Sequence, residues 1–206
     1  MAMTAGQVGA LFTRSDGEFR FARWARRPVF AAIGLPREEA GQLAEGVEEV
    51  LALLPFPAAP AETDATLILV VCDEWRELRR VDGLQRLIPK LDPLLAKLAE
   101  TDSNQYRVFH FDEAGAIVAC IALLRRDENL GAVGPRALGV NQAVQAVLLW
   151  SDRAFMEESP VVPVGETLAL RPGYAALITA AYGTTLPVAT RERSVAKTLA
   201  QRSRAQ

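Results

Sequence analysis

The chain contains one histidine, His110, and two cysteines in 206 residues. A single imidazole cannot build the two-nitrogen zinc sites typical of hydrolytic enzymes, and no His-x-x-x-His pair supplies a second. Cys72 and Cys120 lie in separate strand-like apolar runs without metal-type spacing. They read as buried free thiols, with a disulfide between neighbouring strands as the alternative. Charge imbalance is missing too: the net charge of -2 gives no global field to draw the chain onto nucleic acid or an acidic membrane. No apolar stretch approaches the roughly 20 residues that cross a bilayer. Met1–Ala10 has neither a basic leader nor an apolar core of export length, so the expectation is a cytoplasmic chain, or an exported one whose leader was removed. Nucleophile-elbow, P-loop and dinucleotide-binding glycine motifs are absent, as is any repeat of solenoid period.

What is present fits an ordinary globular composition, 50% hydrophobic and 23% charged, in a chain long enough to bury a core without staples. We read a single domain over 18–190, an N-terminal extension over 1–17 and a basic tail over 191–206 with five basic residues against one acid. Two short β segments, Glu18–Trp24 and Pro28–Ile33, flank the cluster Arg23, Arg26 and Arg27. Apolar residues at steps of three and four predict an amphipathic helix over Arg37–Leu54, ended by Pro55, Pro57 and Pro60. Thr66–Cys72 is continuously apolar, the pattern of a strand buried on both faces. Asp73 then reads as the N-cap of a helical stretch begun by Trp75, Leu78 and Val81, and further helical pieces carry Leu84, Leu87 and Ile88, then Leu94, Leu95 and Leu98. Tyr106–Phe111 and Ala116–Leu124 predict a hairpin around Asp112-Glu113-Ala114-Gly115. An apolar helix over Arg136–Trp150, β-like runs Val161–Val164 and Thr167–Leu170, and a helix over Pro172–Tyr182 follow. The expected fold class is α+β or mixed α/β, with helices packed on one mainly antiparallel or mixed sheet.

Candidate chemistry is sparse. His110 stands inside a strand between Phe109 and Phe111 and reads first as a strand residue with a satisfied hydrogen bond. Asp112 and Glu113 are turn residues. Asp73 and Glu74 follow the buried run, where ligand crevices open in α/β sheets, although capping is the simpler role for Asp73. Gly131 and Gly134 precede a helix, but Pro135 lacks the N–H that an anion site would use.

Arg23-Trp24 with Pro28-Val29, then the segments Arg37–Leu54, Thr66–Glu74 and Tyr106–Leu124, and Tyr182 before Leu186-Pro187, occur in an order that resembles an uncharacterised family of bacterial zincin-like proteins, many of them exported or lipid-anchored. The signature of that family is a helix bearing His-Glu-Glu, a Gln three residues on and a terminal Asn-Asp. Val140-Asn141-Gln142 stand at the His-Glu-Glu positions here; Gln145 and Asp152 match, and Ser151 replaces the Asn. A zincin helix needs an imidazole ligand and a carboxylate base, and no His or Glu lies anywhere in 137–151. The resemblance therefore implies a non-catalytic zincin-like domain without metal or cofactor. Asn141, Gln142 and Gln145 would be either polar contacts in a groove or interior hydrogen-bonding residues. A protein or peptide partner fits this reading, and nucleic acid does not. The alternative is a hydrolase using Asp73, Glu74 and His110 across a cleft, which requires the three side chains to converge. A third reading joins the arginine cluster and the basic tail into one surface for an anionic partner.

Overall fold

The computed structural model describes residues 3–60, 63–165 and 167–205; Met1 and Ala2 of the 1–17 segment and Gln206 of the 191–206 segment lie outside it. Its strands are β1 (Phe21–Ala22), β2 (Phe30–Ile33), β3 (Leu67–Cys72), β4 (Gln105–Phe111), β5 (Ile117–Arg125), β6 (Val161–Val164), β7 (Thr167–Leu170) and β8 (Ala189–Thr190). The helices are α1 (Ala5–Phe12), α2 (Arg37–Leu51), α3 (Leu84–Leu87), α4 (Leu91–Glu100), α5 (Glu128–Gly131), α6 (Pro135–Ala146), α7 (Pro172–Ala181) and α8 (Ser194–Ser203), with a 3-10 turn over Trp75–Arg80.

The architecture is α+β, and its main sheet is mixed. Four strands run in the order β2-β3-β5-β4, with β2, β3 and β5 parallel and β4 antiparallel to β5. The apolar run of β3 is buried on both faces, as its lack of alternation predicts. Leu67, Leu69 and Val71 enter a core shared with α2 and α6, while Val70 and Cys72 enter a second core shared with the 3-10 turn and α4. The β4–β5 hairpin turns through Gly115, whose φ of +79° suits a residue without a Cβ. Two small antiparallel pairs, β6–β7 and β1–β8, complete the strand pairing among the described residues.

Several boundaries differ from the sequence reading: the helix from Arg37 ends at Leu51 and the first β segment is only Phe21–Ala22. The apolar helix over Arg136–Trp150 ends at Ala146, because the next residues serve the strand region before it in sequence. Leu148 bridges Arg23, and the Leu149 amide donates to Ala22 O at 2.9 Å. Residues 147, 148 and 150 are buried either way, so hydrophobicity could not mark the end. Asp73 does not cap the next turn: Glu74 holds the cap position without a side-chain bond, and Asp73 Oδ1 instead accepts from Arg126 Nε at 3.2 Å. The terminal segments are also more than an extension and a tail. Helix α1 buries Val8 and Phe12, α8 buries Val195, Ala196, Leu199 and Ala200, and both belong to the larger core. Among the described residues no helix is long and apolar enough to cross a membrane.

Candidate functional site

Helix α6 lies against α2 through two glycines. A Cβ at Gly46 would sit 2.0 Å from Arg136 O, and one at Gly139 would sit 2.1 Å from Leu43 O. Backbones this close leave no room for side chains between them. Val140 belongs to this contact, with its amide nitrogen 2.9 Å from the Gly46 Cβ position, and is 2% exposed. The position matched to a metal-binding histidine is thus part of a helix–helix seam.

The C-terminal end of α6 is held by aromatic donors from separate parts of the chain. Helix ends leave backbone carbonyls without intrahelical partners. Trp150 Nε1 donates to Val144 O at 2.7 Å, Trp24 Nε1 to Ala146 O at 2.9 Å, and the Tyr182 hydroxyl to Val147 O at 2.5 Å. Loss of solvent pushes the Tyr182 hydroxyl pKa well up, keeping it a donor. Arg23 lies over the Tyr182 ring at 5.5 Å and donates to Leu186 O. Arg27 reaches Leu51 O at the end of α2 and pairs with Glu48. Arg23 and Arg27 therefore serve a ring and a helix end, which leaves Arg26 as the exposed member of the cluster.

The three amides of α6 divide between core and cleft. Gln142 is 4% exposed; it accepts from Arg107 and donates to Gln105 Oε1 at 3.4 Å. No carboxylate pairs with Arg107 among the described residues, and its Nε has no hydrogen-bond partner. Burial pulls its guanidinium down to about 10. Asn141 and Gln145 bond to each other at 2.5 Å and line a cleft of about 340 Å³, closed on its other sides by residues including Gln105, Phe155 and Met156. The amides thus divide by position: Gln142 is interior, and Asn141 and Gln145 face the cleft. Asp152 lies farther along the chain, where it accepts from the Ser15 amide at 2.9 Å and from the Ser15 hydroxyl. These bonds hold its carboxyl below the usual range. Its role is to tie the segment after α6 to the loop after α1.

Asp73, Glu74 and His110 are not brought together. Asp73 follows Cys72, which pairs with Arg125 of β5, whereas His110 pairs with Ala119. At about 3.3 Å per strand residue the two levels are roughly 20 Å apart. Asp73 faces Arg126, and Glu74 pairs with Arg76 at 2.6 Å. His110 stands at a register shift between His110 and Phe111, and its Nε2 is buried without a partner, contrary to the satisfied strand histidine expected. Cys72 and Cys120 are free and buried, and they enter opposite cores. Burial pushes both thiols up to about 12, which leaves them protonated and unreactive near neutral pH. Among the described residues no group of three or more His, Cys, Asp or Glu side chains could hold a metal ion.

Sequence reasoning missed Gly46, Gly139, Gln105 and Arg107. Glycines inside otherwise helical patterns are a usable sign of close packing. So is a lone arginine within the apolar strand Tyr-Arg-Val-Phe. No family model, curated protein or solved structure matches the chain.

Proposed function

We propose that the protein is a non-catalytic binding or structural module on a zincin-like scaffold whose metal site has been lost. The observation that carries this reading is the composition of the cleft beside α6: none of the side chains lining it is ionisable. Such a cleft has no general acid or base, and its one hydroxyl, Ser159, has no base to activate it. What it offers is amide donors and acceptors among apolar walls, a set that matches the uncharged groups of a peptide backbone. Met156, 76% exposed at its edge, adds adaptable apolar surface of the kind used in peptide recognition. The resemblance in segment order adds support, since Arg23-Trp24 and Tyr182, which carry it, meet at the end of α6.

The test is metal analysis after purification in zinc-containing buffer. Zinc well below one equivalent is expected, with no change on His110→Ala. Zinc near one equivalent, lost on that substitution, would overturn the reading. The carboxylate hydrolase gains no support, because its three residues lie at opposite ends of the sheet.

A further inference from the structure

On the sheet face opposite α6, β4 and the α3–α4 segment enclose an open groove of about 560 Å³, within the range of small-molecule sites. Its walls are mainly apolar and include Leu87, Pro89, Leu94, Tyr106 and Val108. Three nitrogen-bearing side chains, Lys90, Lys97 and His110, also line it, and no acidic side chain does. Neither lysine has a carboxylate partner among the described residues; the acid nearest in sequence on α4, Asp92, is engaged by Arg79 at 2.6 Å. His110 brings a buried Nε2 without a hydrogen-bond partner. It does so at the register shift of β4, a feature that re-aims side chains at sheet edges and beside sites. An apolar trough bordered by unpaired cations and an unsatisfied imidazole is complementary to a molecule with an apolar body and an anionic head.

We propose that this groove binds an apolar monocarboxylate of the fatty-acid class, its chain against Leu94, Tyr106 and Val108 and its carboxylate among Lys90, Lys97 and His110. The site is separate from the α6 cleft and does not depend on the proposal made for that cleft. A ligand carboxylate supplies the counter-charge that the lysines lack, and a turn of the His110 ring toward the groove would give its shielded Nε2 a partner. Monocarboxylate recognition also accounts for the exposed aromatic surface of Tyr106, 43% exposed on an edge strand, where an uncovered apolar side chain otherwise invites unwanted strand pairing.

The test is calorimetric titration of the full chain with decanoate, beside decan-1-ol and acetate as tail-only and head-only controls. Decanoate should bind with one equivalent, at least about tenfold more tightly than decan-1-ol, and acetate should not bind measurably. Lys90→Glu with Lys97→Glu, both exposed positions, should weaken decanoate at least about tenfold while leaving decan-1-ol unchanged. His110→Phe, which keeps bulk and removes the nitrogens, should weaken decanoate and not decan-1-ol. Equal binding of acid and alcohol, or decanoate binding untouched by the double charge reversal, overturns the proposal. So does a dimer in sedimentation that protects the β4 amides and excludes decanoate, because the groove would then belong to a second copy of the chain.

Discussion

The two faces of the main sheet are covered differently. On one face α2 and α6 approach to backbone contact through Gly46 and Gly139, and the end of α6 is fastened by Trp24, Trp150 and Tyr182. On the other face the 3-10 turn and the short helices α3 and α4 cover the sheet in pieces and leave the 560 Å³ groove beside β4. The α6 face holds the positions at which the resemblance would place a metal site, and of these Val140 and Gln142 are buried in packing while Asn141 and Gln145 line the smaller cleft. The open face holds His110, the chain's single imidazole.

The sharpest way to break the contrast is Gly46→Ala. The new methyl would meet a backbone oxygen that no rotamer change can move, so α2 and α6 must separate; a loss of at least about 3 kcal/mol is expected in urea denaturation. Wild-type stability would show that the seam is loose. Next is Tyr182→Phe, which removes the donor to Val147 O from a buried site and should cost about 1–3 kcal/mol by the same measurement.

A smaller effect comes from pH. The thiols of Cys72 and Cys120 have folded pKa values raised to about 12 from 9.0. Stability from keeping them protonated is complete below pH 9 and is lost as pH rises toward 12. Between pH 9 and 10 the loss should be roughly 1 kcal/mol per thiol. Above about pH 10 the depressed Arg107 group acts in the opposite direction, since the unfolded chain then holds the extra proton. Cys72→Ala with Cys120→Ala should flatten the pH 9–10 slope. The smallest effect is Gly41→Ala in the same helix as Gly46. No neighbouring atom lies within 4 Å of a Cβ there, so helix propensity alone should raise stability by about 0.5–1 kcal/mol.

Features encoded by local pattern were legible in the sequence. Unbroken apolarity identified β3, the turn residues around Gly115 identified the β4–β5 hairpin, and Pro172 identified the start of α7. Features decided by distant partners were not. The end of α6 depends on Arg23 and Ala22, the role of Asp73 depends on Arg126, and the placement of α8 depends on the large core. The same division runs through the candidate sites. Asn141, Gln142 and Gln145 could be named from the helix, but which of them faces a cleft depended on Gln105 and Arg107 of β4. The groove was not legible at all. Lys90 caps and Lys97 lies in α4, whereas His110 lies in β4, and only the packing of α4 on the sheet places them around one space.

The pairing of β1 with β8, Phe21 against Thr190, has a consequence for the order of assembly. During synthesis the strands β2, β3, β4 and β5 have all their ladder partners by Arg125, whereas α2 waits for α6. The free edge of β1 and the apolar face of α1 must wait for β8 and α8, which lie far further along the chain. Contacts of such long sequence separation carry a large loop-closure cost and form slowly. The nascent chain therefore leaves the edge of β1 and the α8-facing side of α1 uncovered until α8 and β8 arrive, a window in which aggregation or chaperone capture should be concentrated at α1 and β1.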